Sequence, residues 1–399
     1  VTNLAHKIRI YPNLTAEVYL AKSCGTARFA WNWALSKWKN LYSRGEKPSA
    51  FSISREFNAC KNSEFPWTAE VSKYAPQRSI LDLGDGFNCF FKKQAKYPRF
   101  KKKGRSKDSF YLGNDVLKIS GKYLKLPKLE KPIKMAETIR FPGRLLSCTI
   151  SRDAAGDWYA SFNIELSEDY VYPHKCENQA VVGVDIGLKT LATCSDGSKF
   201  DNPRALRASE RRIRRRSQSL ARKKAGSKNR AKAKISLAKA HRKVTRIRQG
   251  AWHNVTSWLV KNFRFIGIED LNVRGMTKNH CLARSLADAA FGEFKRQVTY
   301  KSKLSGSNVV TADRFYPSSK LCSCCGFKLD ELDLSVRGWA CPQCGVVHDR
   351  DENASENLKL VAAGYAETLN ACGESVSPKP IRKNRWRRPS VKQECSGVL

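Results

Sequence analysis

The sequence predicts an α+β chain of several domains: a small antiparallel β-unit interrupted by helices, then an α/β domain that is itself interrupted by a metal-binding ribbon. Three observations predict it. Short β-branched and aromatic runs bracket long helical windows in the first half, and two apolar runs in the second half each end in a carboxylate. Residues 322 to 357, CSCCGFKLDELDLSVRGWACPQCGVVHDRDENASEN, carry two paired-cysteine knuckles directly before a cluster of acids. At 399 residues the chain exceeds what one small core holds.

Composition narrows the function classes. Lys plus Arg number 74 against 36 Asp plus Glu, a formal net charge of +38, and a surface that basic is suited to a polyanion such as nucleic acid. Charge alone leaves DNA and RNA equally open. No apolar run approaches the roughly 18 residues of a membrane span, and the first residues, VTNLAHKIRIYPN, lack the apolar core of a signal peptide. The expectation is a cytoplasmic protein without a membrane partner. Most of the 14 cysteines stand singly, as Cys24, Cys60, Cys89 and Cys148 do, which suits reduced thiols better than a disulfide framework.

Each element follows in order. AHKIRIYP (5–12) alternates as a strand does. Residues 16–43 and 75–94 carry apolar residues at helical spacing, with Phe29, Trp31, Trp33 and Leu35 in the first and Ile80, Leu83, Phe87, Phe90 and Phe91 in the second. After Lys118 come LKISGKYLKLPKL, ETIRFP, LLSCTISRD and DWYASFNIEL, short runs parted by Gly, Pro and Asp turns, as in a small barrel or sandwich. Residues 1–15 and 112–172 are therefore assigned to a β-barrel, and 16–111 to a helical domain inserted in it. Between them, YPRFKKKGRSKDSF (97–110) is basic and interleaved with aromatics, so Arg99, Lys101 and Lys102 are candidate phosphate contacts. A plain solvated loop has the same composition.

The linker VYPHKCENQ (171–179) ends that half. In AVVGVDIGLKTLATCSDGSKF an apolar run delivers Asp185 to its end, Gly187 permits a tight turn, and TLATCSDG returns as the next strand. Residues 204–248 are nearly a block of Lys and Arg with Glu210 as the only acid. Ala231, Ile235, Ala238, Val244, Ile247, Ala251, Val255, Trp258 and Leu259 keep a narrow apolar stripe through and beyond it. This reads as a helical hairpin turning near AGSKN (225–229), with Arg214, Arg215 and Lys223 free to meet phosphates. NFRFIGIEDL (262–271) is a second buried strand ending in Glu269 and Asp270; a helix over 285–304 and a strand over 308–315 follow.

Cys322 and Cys325, then Cys341 and Cys344, form C-x2-C knuckles, each followed by a glycine (Gly326, Gly345) whose turn lets backbone N–H groups point at thiolate sulfurs. Four thiolates fit one structural Zn²⁺, with Cys324 outside the shell; a redox pair or an iron–sulfur cluster is the competing reading. Immediately afterwards HDRDENASENLKL opens a helix with Asp351 in its first turn, although Asp349 lies so close that spacing does not choose between them. Asp185 and Glu269 on strands and Asp351 on a helix, in that chain order, are what an RNase H-like sheet needs to gather three carboxylates at one edge. Hard oxygen ligands suit Mg²⁺, and two ions about 4 Å apart activate water and stabilise a leaving oxygen. The α/β domain is thus assigned to 178–315 and 346–363, with a ribbon insertion over 316–345.

At this point GVDIGLKTLATCSDG, IGIEDLNVRGMTKNHCLARSLADAAFGEFKRQVTYKS, YPSSKLCSCCG and CPQCGVVHDRDENASENL together resemble the TnpB family, transposon-encoded RNA-guided DNA endonucleases related to miniature type V CRISPR effectors. The resemblance runs from about residue 5 to 360 and includes ARFAWNWAL and SILDLGDGFNCFFKK. It implies a wedge barrel with a helical recognition domain, then a RuvC nuclease with a zinc ribbon. It further implies a guide RNA copied from the transposon end, double-stranded target DNA beside a short motif, and a monomer holding one RNA in a prokaryotic cytoplasm. Asp185, Glu269 and Asp351 take the family's magnesium-binding roles by motif match, and Tyr74 and Gln77 fall where the family reads target-flanking DNA. The chain departs from many relatives in reading Asn353-Ala354-Ser355 after the last acid, a small change expected to be tolerated. Two rival readings are a guide-independent RuvC-like recombinase or resolvase, and a guided DNA-binding regulator that does not cut. Residues 364–399, with SVSPKPIRKNRWRRPS, read as a basic disordered tail.

Overall fold

A computed structural model describes residues 3–167, 180–333 and 335–372, so the linker at 171–179 and the tail beyond 372 lie outside the described residues. The chain divides into two compact units, Val1–Tyr172 with Arg204–Gln249, and Pro173–Pro203 with Gly250–Leu399.

In the first unit the order is β1 (Asn3–Tyr11), α1 (Leu14–Ser43), α2 (Ala50–Glu64), α3 (Tyr74–Phe91), β2 (Ser109–Gly113), β3 (Lys118–Ser120), β4 (Tyr123–Lys125), β5 (Ile133–Met135), β6 (Gly143–Arg152) and β7 (Trp158–Leu166). The strands make one antiparallel sheet in the order β2-β6-β7-β1-β5-β4-β3. That order is open, with β2 and the three-residue β3 at its ends, so it is a half-barrel where the sequence suggests a small barrel or sandwich. Every second side chain of β7 is buried, from Trp158 through Ala160, Phe162 and Ile164 to Leu166. Asn13 starts α1 by accepting the Ala16 N–H at 2.8 Å. The first half of α1 packs Leu20, Cys24 and Ala27 on the sheet, and its second half packs Ala34, Leu35 and Trp38 against Ile53 and Phe57 of α2 and Ile80, Leu83 and Phe87 of α3. One helix thereby joins two cores.

One local expectation needs correction. ETIRFP is not a strand: Ala136 N–H still reaches Arg9 O at 2.8 Å, but then the Glu137–Arg140 pair and Pro142, which has no N–H to donate, take the chain off the ladder. The run IKM (133–135) pairs with β1 and β4 instead. The sequence pattern does not announce helix α2 or strand β2 either; α2 is started by a Ser49–Ser52 capping box.

The basic block forms α4 (Ala205–Ala221) and α5 (Lys228–Asn262), the expected hairpin, and up to Gln249 it belongs to the first unit. Arg230 closes the turn by donating to Leu220 O at 2.9 Å and Lys223 O at 2.7 Å, satisfying carbonyls at the end of α4. Arg242 donates to Asp153 at 2.8 Å and also to Asp157, while Arg246 donates to the Tyr159 hydroxyl at 2.9 Å, which ties α5 to the β6–β7 hairpin.

The second unit contains β8 (Val181–Asp185), β9 (Thr190–Cys194), β10 (Lys199–Asp201), β11 (Phe265–Ile268), α6 (Val273–Met276), α7 (His280–Ala289), α8 (Phe291–Ser305), β12 (Asn308–Thr311), β13 (Gly338–Ala340), β14 (Val347–Asp349) and α9 (Arg350–Cys372). Its sheet runs β10-β9-β8-β11-β12, antiparallel through the hairpins and parallel from β8 to β12. The helix expected over 285–304 is two helices, because Ala290 adopts φ 57° and breaks it.

Alternation along the parallel strands sorts the two faces. Val182, Val184, Ile266 and Ile268 pack with Trp252, Val255 and Leu259 of α5 and Phe291, Phe294 and Val298 of α8. The opposite parity, Val181 and Phe265, meets Tyr365, Ala362 and Ala366 of α9. Those last contacts carry α9 to Cys372, nine residues beyond the boundary at 363 that the sequence suggests. β14 pairs with β13, so the ribbon also extends past 345, to Asp349. Among the described residues no helix is long and apolar enough to cross a membrane.

Candidate functional site

Gly183 and Gly267 are register partners on the α9 face of the sheet. A Cβ on Gly183 would lie 1.9 Å from Ser355 O and 2.3 Å from Lys359 N, and one on Gly267 would lie 2.2 Å from Leu358 O. The missing side chains are what lets the α9 backbone lie directly on β8 and β11. Two residues beyond Gly183 stands Asp185, the last residue of β8, and two beyond Gly267, just past the end of β11, stands Glu269. One helical turn before Ser355 stands Asp351. Sheet parity and the glycine groove thus converge on the three acids singled out by sequence.

Their proximity has an electrostatic signature. Desolvation first, then the charges of Glu269 and Asp351, push the Asp185 carboxyl well above the ordinary 3.8, with Arg350 opposing. The neighbouring candidates are occupied elsewhere. Asp349 accepts the Asp351 N–H at 2.9 Å and the Glu352 N–H at 3.1 Å, so it caps α9. Asp270 is gripped by Lys295 at 2.7 Å and Arg314 at 2.8 Å, and these two bonds hold its carboxyl below the usual range. Asp351 itself receives Arg337 at 3.1 Å, and Glu269 receives the Ser318 hydroxyl. Ser355, the departure from the family pattern, is buried and donates to Glu352 O at 2.7 Å.

In the ribbon, the sulfurs of Cys322, Cys325, Cys341 and Cys344 all lie within 4.8 Å of one another, and Cys324 is exposed outside them. Gly326 and Gly345 take φ 75° and 73°, but their N–H groups donate to Cys322 O and Cys341 O at 2.9 Å rather than to sulfur. Other backbone donors do reach sulfur: Cys325 N–H stands 3.5 Å from Cys322 Sγ, and the backbone amides of Phe327, of Gln343 and Cys344, and of Val346 bond the sulfurs of Cys325, Cys341 and Cys344 respectively. His348 Nε2 stands 3.0 Å from Cys322 Sγ, a contact the cysteine spacing does not reveal.

The candidate nucleic-acid residues divide. The 97–110 loop is docked on α1: Asn32 clamps both backbone groups of Lys101 at 2.7 and 2.9 Å, Trp31 donates to Arg99 O at 3.0 Å, and Lys101 Nζ lies 3.7 Å from the Trp31 ring centre. Burial lowers the Lys101 pKa. Arg99 and Lys102 remain exposed, as do Arg214, Arg215 and Lys223. Tyr74 packs edge-on to Tyr111 with its hydroxyl bonded to Asp115, whereas Gln77 is exposed. Arg212, Lys239, Arg242, Lys243, Arg246 and Ile247 line a cleft of about 370 Å³ on the α4–α5 hairpin.

A protein of Streptomyces pristinaespiralis named "Putative RNA-guided DNA endonuclease" is 35% identical over 394 residues, 98% of this chain and 96% of that protein. The chain belongs to the TnpB family. Three family models match in agreement with that: "Probable transposase" over residues 161–280, "Cas12f1-like, TNB domain" over 291–358 and "Helix-turn-helix domain" over 2–47, a stretch that here forms β1 and α1. The Escherichia coli K12 relative, "Putative RNA-guided DNA endonuclease InsQ", is 30% identical over 397 residues, 95% of this chain and 96% of that protein. The TnpB-family fold extends to a chain in the "Cryo-EM structure of the Cas12f1-sgRNA-target DNA complex", with TM-score 0.51 at 14% identity over 86% of this chain and 82% of that one.

Proposed function

We propose that the chain is an RNA-guided DNA endonuclease of a transposon, with a guide RNA from the transposon end and double-stranded target DNA as partners. The observation that carries the reading is the gathering of Asp185, Glu269 and Asp351 over one end of β8 and β11, where burial first and then like charge raise the Asp185 carboxyl. The second unit is then an RuvC-like nuclease domain of the RNase H type. Three clustered carboxylates, with Arg337 and Arg350 as the cations beside them, are a donor set for Mg²⁺. When bound, two Mg²⁺ ions supply a water of lowered pKa and charge to oppose the leaving oxygen. Asp185 holds the centre from the sheet, Glu269 flanks it on the neighbouring strand, and Asp351 closes it from the helix. Arg314 and Lys295 keep Asp270 out of that set.

The ribbon takes one structural Zn²⁺, because four thiolates at these separations form a closed tetrahedral set. Its β14 strand leads straight into the Asp349 cap, so metal binding secures the start of α9. Sequence reading falls to RNA pairing, leaving the protein to hold phosphates through exposed cations such as Arg99, Lys102, Arg214, Arg215 and Lys223. Tyr74 and Gln77 are proposed as contacts to target-flanking DNA, with Gln77 the exposed member.

Two guides and one plasmid test this. The RNA-free protein should leave duplex DNA intact, each guide should direct breaks to its own matching site, and Asp185→Ala should bind both partners without cutting. Breaks that stay in place whichever guide is supplied refute the guided reading.

A further inference from the structure

The chain leaves the sheet for the ribbon through residues 317–321, and that short segment touches both Glu269 and α9. Ser318 is 4% exposed and its hydroxyl donates to Glu269 Oε1. Its carbonyl is held from the other side by Asn357 Nδ2 at 2.8 Å and Asn353 Nδ2 at 3.4 Å. The same two amides donate to Leu321 O at 2.6 and 2.7 Å, and Asn353 Oδ1 accepts the Ser323 N–H at 2.9 Å. Asn353 and Asn357 are four residues apart on α9, so they share one face, and both are buried. Bonds from Lys320 N–H and Leu321 N–H to Pro317 O, each 3.0 Å, close the turn around Ser318. Its peptide cannot rotate without breaking bonds to the helix that carries Asp351.

We propose that Ser318 is a positioning residue for the Glu269 carboxylate: its hydroxyl, locked by Asn353 and Asn357, sets which oxygen of Glu269 faces Asp185 and Asp351. The inference rests on reading the three acids as one cation-binding centre. Glu269 needs such a device more than its partners do. Its side chain has one more rotatable bond than either aspartate, and one oxygen tethered at Oε1 leaves the other to serve as ligand without further loss of rotamer freedom. Groups that orient metal-binding carboxylates from behind commonly change metal affinity by about 10- to 100-fold when removed. The structural role of the segment runs through the Ser318 carbonyl, which Ser318→Ala retains.

The test is Mn²⁺ binding to the full-length, zinc-loaded protein, followed by the EPR signal of free Mn²⁺, on wild type, S318A, E269Q and the double variant. S318A should weaken the Mn²⁺ Kd by about 10-fold while zinc stays at one per chain and the Mn²⁺-free Tm is unchanged. In the double variant S318A should add nothing to E269Q, because it acts through that carboxylate. An unchanged Kd in S318A, additive losses in the double variant, or a weaker Kd that comes with lost zinc or a lowered Tm overturns the assignment. If E269Q binds Mn²⁺ as wild type does, the cation-centre reading itself fails and the inference with it; a weak E269Q beside a normal S318A removes the inference alone.

Discussion

Gly183→Ala adds a single methyl group to the second unit, and the groove under α9 makes its effect calculable. The new Cβ would lie 1.9 Å from Ser355 O and 2.3 Å from Lys359 N, both backbone atoms that cannot rotate away. Restoring ordinary contact at 3.4 Å requires α9 to lift by roughly 1.5 Å, a strain of about 1–3 kcal/mol for an overpacked site. Gly183 does not need a left-handed backbone, so the close approach alone produces the effect. Asp351 rides on the same helix one turn away, and a misplacement of about 1 Å typically costs about 100-fold in rate. The expected result is a lower Tm and a single-turnover cleavage rate down about two orders of magnitude, with guide binding unchanged. Gly292→Ala on α8, where an added Cβ meets nothing within 4 Å, is the control and should gain up to about 1 kcal/mol of helix stability. A G183A variant that melts and cuts like wild type would refute the claim that glycine contact sets the depth of α9.

Three further outcomes are expected. The raised Asp185 pKa means that its contribution to stability is present below the ordinary 3.8 and is lost as pH rises through the folded value, so D185N should melt above wild type at neutral pH without added Mg²⁺. That gap should close as pH falls below 3.8, and equal melting at pH 7 counts against the crowding of charge. Cys341→Ser should leave zinc well below one per chain and lower both Tm and cleavage, since a structural zinc site binds with about 10 kcal/mol or more; metal analysis of the wild type showing no zinc removes the site. Replacing Arg214 and Arg215 together with Ala should reduce the slope of log affinity for RNA against log salt by about one for each phosphate no longer neutralised, which filter binding at several salt concentrations would reveal.

The strand-borne acids were legible because alternation and chain order are local properties: VVGVD and FIGIED each read as a buried run with a carboxylate at its end. The cysteine spacing was legible for the same reason. The pairing of Gly183 with Gly267 was not, since nothing local says which residues of two distant strands become neighbours, and that register is what places α9. Spacing alone did not separate Asp351 from Asp349; the family motif favoured Asp351, and the folded chain adds that Asp349 is spent as a helix cap. Ser318 gave no periodic signal, although Asn353 and Asn357 at helical spacing just after an acid marked a polar stripe where α9 should be apolar. ETIRFP misled because its composition suits a strand while Pro142 and the Glu137–Arg140 pair do not.

The three acids enter the chain in the order Asp185, Glu269, Asp351, and the ribbon stands between the second and the third. During synthesis from the N-terminus, the basic hairpin of α4 and α5 is complete while the last acid has yet to be joined. On the proposed reading, a nascent chain therefore gains its phosphate-binding hairpin before the last ligand of its cutting centre. On that reading, translation that ends within the ribbon yields a chain with the basic hairpin and without Asp351, so for this topology premature termination removes the proposed cutting centre before it removes the hairpin.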